Sequence, residues 1–459
     1  MQLRWSDLGT PRADAADGGQ VGVTGWMTAN GPGGRASYFL LSPEPSCCGG
    51  CAPRDPRYAV EVFAAAPIAP QPQALRLTGR WRVLADDPAG WRYQLHEARS
   101  LDPPGWRGIT RRGVLAAGPL FCIAGTAQAD ETAARQAIAA ATTVDVHSHA
   151  GAIIGVSRVL DRAPFVPVAQ PMRQGGMAVA CLAIVSDSPC HRVYPDHRIH
   201  PYRDPDPGEL YTYGQLNFAR LHALVRDQGL AVITDAPTLR AARAGTASAI
   251  IAAEGADFLE GRADRVDEAY EKWQLRHLQL THYRVNELGD IQTEAPVHGG
   301  LTDFGTEVIR RCNARGLAVD VAHGTYDLVK RAASVTTKPL VLSHTSLTQT
   351  PGRLSRQISP DHARVIAGTG GVIGVWPPSS IYPDLDAMAR GVARLAEVVG
   401  VEHVGIGSDM MGLTVPSVFG DYAALPELAA ALLNVGFSRD DLGKILGGNY
   451  VRMFAASLG

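Results

Sequence analysis

The sequence has no surplus of charge of either sign and contains very little lysine. Its 43 lysine and arginine residues nearly balance 45 aspartate and glutamate residues, and the formal net charge is −2. A nucleic-acid-binding protein normally carries a basic excess, so this balance argues against nucleic acid as a partner. The only lysines are Lys272, Lys330, Lys338 and Lys444. This scarcity limits the metal sites that the chain can form, because some paired-metal sites are bridged by a modified lysine.

Cysteine is also sparse, and its arrangement excludes a disulfide-stabilised framework. The 459 residues contain 7 cysteines, three of which are crowded at Cys47, Cys48 and Cys51. An odd number with this spacing does not form a regular set of disulfides in so long a chain. The crowded cysteines have no second pair and no histidine nearby, so we do not expect a metal there. Cys181 lies in an apolar run, and we expect it to be buried.

Residues 1–105 differ in pattern from the rest of the chain. Short runs of alternating apolar and polar residues, such as 58–65 and 74–84, are separated by glycine, proline and aspartate. This pattern predicts a small, mostly β N-terminal domain, for which the sequence indicates no role of its own.

Residues 106–130 form a linker with the features of an export signal. Arg111 and Arg112 precede an apolar stretch that ends in Ala127-Gln128-Ala129. Paired arginines, a short apolar segment and this ending match a twin-arginine signal, and the segment is short for a membrane-spanning helix. We therefore expect a periplasmic or exported protein cleaved after Ala129. If the segment is an ordinary helix or linker, we expect a cytoplasmic protein instead.

Residues 140–459 alternate between strand-like and helical patterns. Eight apolar runs end near His149, Val185, Glu254, His282, His323, His344, Trp376 and Asp409. The runs are rich in β-branched residues and do not alternate, as expected for parallel strands that are buried on both faces. Helical patterns lie at 211–228, 235–245, 264–274, 302–315, 325–334, 359–368, 386–399, 421–435 and 438–456. These repeats predict an α/β fold, a (β/α)₈ TIM-type barrel.

Residues that bind metals or transfer protons follow five of these runs. They are His147, His149, Glu254, His323, His344 and Asp409. A parallel barrel brings the ends of its strands to one face, so ligands that are distant in sequence can meet there. The carboxylate of Glu254 has two oxygens and can bridge two cations, and Asp409 is suited to accept a proton from metal-activated water. The array predicts a metal-dependent hydrolase.

Longer motifs give this prediction a family. In order across residues 143–455 the chain contains DVHSHAG, AAEGADF, LQLTHYRVNELGD, LAVDVAHGTYD, PLVLSHTSL, RQISPD, GGVIGVW, HVGIGSDMMG and GGNYVRMF. Together these segments resemble the membrane (renal-type) dipeptidases, zinc metallopeptidases of the amidohydrolase superfamily. The resemblance covers residues 140–457 and does not extend to residues 1–105.

The resemblance implies a site with two zinc ions bridged by Glu254. His147, His149 and Glu254 would hold one ion, and Glu254, His323 and His344 would hold the other. One position departs from the family, because its better-known members have aspartate where this chain has His149. Histidine is common at this place elsewhere in the superfamily, so we expect metal binding to persist with an altered metal preference.

The resemblance also implies three residues that act on the substrate. His282 would polarise the scissile carbonyl and stabilise the oxyanion. Arg356 would bind the free carboxylate of the substrate, a role suited to a bidentate guanidinium. Asp409 would handle the proton of a metal-bridging hydroxide and contact the substrate amine.

We therefore predict a zinc-dependent dipeptidase that hydrolyses small peptide substrates, with a homodimer as a candidate assembly. Two alternatives stay open: an amidohydrolase for N-acyl amino acids or lactones, and a catalytically silent metal-binding protein. Relatives that bridge two metals through a carbamylated lysine usually place this lysine after the fourth strand, where the chain has Thr281 and His282. The sequence therefore leaves Glu254 as the only plausible bridging ligand. Deaminases with a single metal ion are another class of enzyme that remains open. The loop 186–213 is a separate feature. Because it is long and follows a barrel strand, we expect it to form part of the rim of the active site.

Overall fold

The structure, a computed structural model, describes residues 1–29, 36–43, 59–69, 74–84, 92–101, 123–153, 165–194 and 198–458. The chain divides into two compact units. One comprises Met1–Ala124 with Pro378–Asp384 and Val415–Val418, and the other comprises Gly125–Pro377, Leu385–Thr414 and Phe419–Gly459. The predicted export signal lies mostly outside the described residues, as does the cysteine cluster at 47–51.

The N-terminal unit is a small closed β-barrel. Its elements are a short helix α1 (Pro11–Asp14) and the strands β1 (Gln20–Ala29), β2 (Ala36–Ser42), β3 (Val60–Ile68), β4 (Leu75–Val83) and β5 (Tyr93–Ser100). The strands close in the order β1-β2-β3-β5-β4, with β3 and β5 parallel. Along β4, Leu75, Leu77 and Trp81 point inward while the intervening arginines are exposed. The predicted mostly β domain is therefore confirmed.

The second unit is built on a closed barrel of eight parallel strands. Its strands are β6 (Val144–Ser148), β7 (Val179–Val185), β8 (His191–Val193), β9 (Ile199–Pro201), β10 (Ala231–Val232), β11 (Ser248–Glu254), β12 (Leu275–Gln279), β13 (Ala318–Asp320), β14 (Leu340–Thr345), β15 (Val372–Val375) and β16 (Val404–Ile406). The barrel runs β6-β7-β11-β12-β13-β14-β15-β16, and β16 pairs with β6. Strands β8 and β9 form a separate hairpin, and β10 is a short strand beside β11.

Helices alternate with these strands as the sequence predicts. They are α2 (Ile123–Ala140), α3 (Ala169–Gly175), α4 (Glu209–Asp227), α5 (Ala236–Ala241), α6 (Arg265–Lys272), α7 (Asp303–Arg315), α8 (Tyr326–Val335), α9 (Pro360–Gly368), α10 (Leu385–Val399), α11 (Leu425–Asn434), α12 (Arg439–Gly443) and α13 (Asn449–Leu458). The (β/α)₈ fold is therefore confirmed. The predicted helix at 438–456 is instead broken by a π-helical turn at Lys444–Gly448, because Gly447 adopts φ 162° and ψ −25°.

Hydroxyl side chains cap the N-termini of three helices that follow the carboxyl ends of barrel strands. Thr302, Thr325 and Ser359 each accept a hydrogen bond from a backbone N–H three residues later, at the start of α7, α8 and α9. Such caps satisfy an N–H group that the first turn of a helix leaves unpaired. They fix the point at which each loop after a strand turns into its helix.

The barrel strands are buried along their whole length. Every residue of β7, β11 and β14 is buried, which explains the unalternated apolar runs in the sequence. Cys181, in β7, is fully buried, as expected. Within the described residues, the helices do not combine the length and apolar character needed to cross a bilayer.

Candidate metal centre and active site

Glu254 lies at the centre of a cluster of histidines at the carboxyl end of the barrel. It is the last residue of β11 and is 2% exposed. Its Oε1 atom lies 3.5, 3.1 and 3.4 Å from Nε2 of His147, His323 and His344, and its Oε2 atom lies 3.0 and 3.2 Å from Nε2 of His149 and His282. Five histidines, at or just beyond the carboxyl ends of four strands (β6, β12, β13 and β14), thus face one carboxylate.

The histidines form two pairs whose spacing fits metal coordination. The Nε2 atoms of His147 and His149 are 3.1 Å apart, and those of His323 and His344 are also 3.1 Å apart. Two nitrogens bound to one tetrahedral zinc ion are separated by about 3.4 Å. Glu254 contacts both pairs, so the residues present fit two ions that share this carboxylate.

The protonation states also suit metal binding. Burial lowers the pKa of His147, His323 and His344, which favours the neutral imidazole that binds metals. Burial opposes ionisation of Glu254, but the neighbouring histidines overcome it and hold its pKa well below the usual value. His149 is the exception, because the effect of its burial is outweighed by Glu254 and Asp409, which raise its pKa. The site therefore combines three neutral nitrogen donors with an ionised carboxylate.

Several of these residues lie beyond the strand ends rather than on them. The strands β12, β13 and β16 end at Gln279, Asp320 and Ile406, three residues before His282, His323 and Asp409. His323 and Asp409 adopt the left-handed region, at φ 66° and 46°, which a strand cannot include. This conformation costs about 1–3 kcal/mol at a residue other than glycine and is concentrated at functional sites.

Asp409 lies beside the first histidine pair. Its Oδ1 atom is 3.5 Å from Nε2 of His149 and 4.0 Å from Nε2 of His147, close enough to join them around one ion. Burial raises the pKa of Asp409 to about 7. A carboxyl group with such a pKa can accept and release a proton near neutral pH.

Neutral groups orient the metal-facing rings. The Nδ1 atom of His149 meets the carbonyl oxygen of Ala183 at 2.8 Å, and the Nδ1 atom of His344 faces Ser343 Oγ at 2.9 Å. Such contacts fix the ring and leave Nε2 directed at the metal position.

His282 differs, because its outer nitrogen faces a carboxylate that the sequence prediction missed. Its Nδ1 atom lies 2.7 Å from Oδ1 of Asp187, a residue with no exposed side-chain surface. Asp187 stands two residues beyond the end of β7 at Val185. The rule that selected the other residues, an acid or histidine closely following an apolar run, would have selected Asp187 as well.

Arg356 lies close to the metal centre and is partly exposed. Its Nη1 atom donates to Gln292 Oε1 at 2.7 Å, and its Cζ atom lies 5.3 Å from the centroid of the Trp376 ring. Burial lowers the pKa of this guanidinium, while the carboxylates of Glu254 and Asp409 act in the opposite direction. Gln292, the partner of Arg356, was also missed, because its loop carries no pattern that indicates a site.

A cavity of about 250 Å³ opens at the cluster. It is lined by His149, Glu254, His282, His323 and Asp409 together with apolar and aromatic residues, among them Val185, Val193, Ile199, Tyr283, Trp376 and Met411. The residues contributed by β8 and β9 confirm that loop 186–213 forms part of the rim. A larger cavity of about 740 Å³ lies elsewhere, between α2 and the C-terminal helices. It includes none of the metal-ligand clusters found in the described residues.

Comparisons with known proteins relate the chain to a peptidase family. Residues 170–457 match the model of the family "Membrane dipeptidase (Peptidase family M19)". A dipeptidase, aclJ, of Aspergillus oryzae is 31% identical over 222 residues, which are 46% of this chain and 51% of that protein. A dipeptidase, verJ, of Clonostachys rogersoniana is 28% identical over 220 residues, 46% of this chain and 55% of that protein. The chain thus spans about half the length of these curated relatives.

Solved structures share the fold at lower identity. The probable dipeptidase PvdM of Pseudomonas aeruginosa superposes with a TM-score of 0.60 at 18% identity, covering 72% of this chain and 99% of that one. A metallopeptidase of Rhodobacter sphaeroides, solved with a phosphinate mimic of the dipeptide L-Ala-D-Ala, gives a TM-score of 0.58 at 20% identity, covering 69% and 99%.

The family match begins at residue 170, so it does not include His147 and His149. These two histidines are placed by the geometry alone, 3.1 Å apart and facing Glu254. The match nevertheless covers well over half of the chain, including Glu254, His323 and His344. The chain therefore belongs to the membrane dipeptidase family, peptidase family M19.

Proposed function

We propose that this protein is a metal-dependent dipeptidase that uses two zinc ions. The observation that carries the proposal is the position of Glu254, whose two carboxylate oxygens lie within 3.5 Å of five histidine Nε2 atoms. A structural ion pair would need one such neighbour, whereas a carboxylate shared by two ions needs ligands on both sides.

Two bound zinc ions would polarise the substrate carbonyl and make water a nucleophile near neutral pH. His147, His149 and Glu254 would hold one ion, and Glu254, His323 and His344 would hold the other. The remaining tasks fall to side chains that do not need to bind metal.

His282 would bind the carbonyl oxygen of the scissile bond. Its Nε2 atom is directed toward Glu254 Oε2, and its ring lines the cavity. A donor aimed at the developing oxyanion stabilises the transition state more than the substrate. Asp409, whose pKa burial raises to about 7, would pass a proton to the leaving amine.

Arg356 supplies the positive charge that a free C-terminal carboxylate requires. It is partly exposed, and its side chain lies against Trp376, which lines the cavity. A cavity of about 250 Å³ is small beside the roughly 300–1,000 Å³ of typical ligand pockets. The small volume favours a dipeptide over a longer peptide, and the guanidinium favours a substrate with a free C-terminal carboxylate.

The test is to purify the protein, count its metals and assay dipeptides of both chiralities beside N-acetylated dipeptides, N-acyl amino acids and lactones. We expect two zinc ions per chain and turnover of free dipeptides that stops after chelation and returns with zinc. Turnover of N-acyl amino acids or lactones in preference to dipeptides would identify the broader amidohydrolase instead. Two bound metals without turnover of any of these substrates would identify a silent metal-binding protein.

A further inference from the structure

We propose that Asp187 is a positioning residue for His282: it fixes the ring of this histidine so that Nε2 faces the metal centre and the scissile carbonyl. The inference rests on the proposed function, because His282 acts on the substrate only in that reaction. Asp187 is not itself among the residues that line the cavity, whereas His282, which it contacts, is one of them.

Both oxygens of Asp187 are engaged by the segment that carries His282. Oδ1 accepts from His282 Nδ1 at 2.7 Å, and Oδ2 accepts from the backbone N–H of Tyr283 at 3.0 Å. One carboxylate therefore restrains the ring and the peptide that follows it. Rotation of the imidazole away from Glu254 would break the shorter of these two bonds.

Asp187 is itself rigidly held. Its side chain has no exposed surface, and its carbonyl oxygen accepts from the N–H of Cys190 at 2.9 Å. The preceding residue, Ser186, donates to the carbonyl oxygen of Gly255, which follows Glu254 directly. The loop after β7 is thus tied to the end of β11, and a catalytic group is best supported by such a fixed second layer of contacts.

The chemistry of the pair requires a proton on Nδ1 of His282. An ionised carboxylate can only accept hydrogen bonds, so Nδ1 must donate. Although burial opposes ionisation of Asp187, His282 and His191 hold its pKa well below the usual value. His149 and His344 have neutral partners at Nδ1, a carbonyl and a hydroxyl. The Asp187 carboxylate also balances the positive charge of a His282 ring that is protonated on both nitrogens, and only in that form can Nε2 donate to the carbonyl oxygen while Nδ1 donates to Asp187.

His191 also contacts Asp187, so the alternative that these side chains form a metal site has to be excluded by experiment. Its Nε2 atom lies 3.2 Å from Asp187 Oδ1, so that Asp187, His191 and His282 together have the spacing of a metal site. The 2.7 Å separation of Asp187 and His282 is that of a direct hydrogen bond, which favours positioning. Loss of a third metal equivalent from an Asp187→Asn variant would overturn the proposal.

The main test is a double-mutant cycle on dipeptide turnover. In the wild type, Asp187→Asn should lower kcat by about 10–100-fold, the usual effect of removing an orienting partner, with little change in KM. In a His282→Ala background the same substitution should change kcat by less than about 2-fold, because the group it positions is gone. An equal loss in both backgrounds would show that Asp187 acts on the fold and not through His282.

Asp320→Asn is the matched control. Asp320 Oδ2 lies 3.1 Å from His277 Nε2, so the control removes an equally buried aspartate–histidine bond from the same barrel. Any loss that it causes should be the same with and without His282. If the wild type binds two zinc ions but hydrolyses no dipeptide, the proposed function is refuted. If it hydrolyses dipeptides but Asp187→Asn has the same effect with and without His282, only the positioning role of Asp187 is refuted.

A second measurement does not depend on enzymatic activity. In metal-free protein labelled with ¹⁵N-histidine, the His282 resonances, identified by their loss in His282→Ala, should show a protonated Nδ1 with a downfield, slowly exchanging proton. Asp187→Asn should move that proton upfield. A wild-type His282 protonated only at Nε2 would overturn the proposal, whether or not the protein hydrolyses dipeptides.

Discussion

Replacing Glu254 by glutamine should remove the stability that the protein gains from metal. Glutamine keeps the size of the side chain but replaces a shared carboxylate by a neutral amide. In the structure this carboxylate contacts both histidine pairs, at 3.0–3.5 Å. The change therefore weakens both metal positions at once, whereas replacement of a single histidine removes a ligand from one pair.

The expected magnitude follows from linkage. A ligand at 100 times its dissociation constant stabilises the folded state by about 2.7 kcal/mol, so two such sites contribute about 5 kcal/mol. For a unit of about 300 residues this corresponds to a change in thermal midpoint of roughly 8 °C. We expect the wild type to lose this amount on chelation, and Glu254→Gln to lose less than about 1 kcal/mol because little metal binds.

The assay compares unfolding with zinc and with chelator for each variant, together with the metal content. Any effect of the substitution on the metal-free protein cancels, because each variant is compared with itself. Glu260→Gln is the control, since Glu260 binds Arg265 and the backbone of α4 and does not contact the histidines. If Glu254→Gln keeps two zinc ions and the full stabilisation, Glu254 is not the shared ligand.

Three further predictions follow from individual side chains. Arg356→Ala should raise KM for free dipeptides by about 10–100-fold, which is the contribution of a charged hydrogen bond to binding, and should leave KM for dipeptides with a C-terminal amide unchanged. An equal rise in KM for both substrates would contradict the role of Arg356 in binding the carboxylate. His149→Asp should raise activity with Mn²⁺ relative to Zn²⁺, because carboxylates suit Mn²⁺ and imidazole suits zinc; an unchanged ratio of the two activities would refute this. Burial lowers the pKa of His362 from 6.5 to about 4. Below pH 6.5 the unfolded chain therefore binds a proton at His362 that the folded chain does not bind. As the pH falls from 7.5 to 5, the free energy of unfolding of the wild type should decrease by about 2 kcal/mol more than that of His362→Gln. Denaturant titrations that give both proteins the same pH dependence would contradict this prediction.

The fold was predictable because its pattern is local. Apolar runs such as those of β7 and β11 are buried on both faces, and each is followed by an amphipathic or capped helix. The break between α12 and α13 was not predictable, because Gly447 packs so closely on Thr142 that a Cβ atom would lie 2.1 Å from its carbonyl oxygen. This contact joins residues that are far apart in the chain, so the local sequence pattern around Gly447 does not predict it.

The site was predictable in its residue types and only partly in its geometry. The apolar runs pointed to Glu254 and the histidines that surround it, and the barrel brings them together. Left-handed backbone at His323 and Asp409 had no local indication, since neither is glycine. The roles assigned to these residues in catalysis stay predictions until the variants are measured.

The sequence by itself determined the order of strands and helices and the chemical types that follow each strand, because these depend on neighbours a few residues apart. Only the tertiary structure decided which groups meet. Asp187 and His282 are 95 residues apart, and Gln292 and Arg356 are 64 apart. Their pairing depends on barrel closure, on the turns beyond the strands and on side-chain rotamers, none of which a linear pattern encodes. The metal ligands share residue types that a reader of the sequence can recognise, whereas the groups that orient them are set by contacts formed only in the folded barrel.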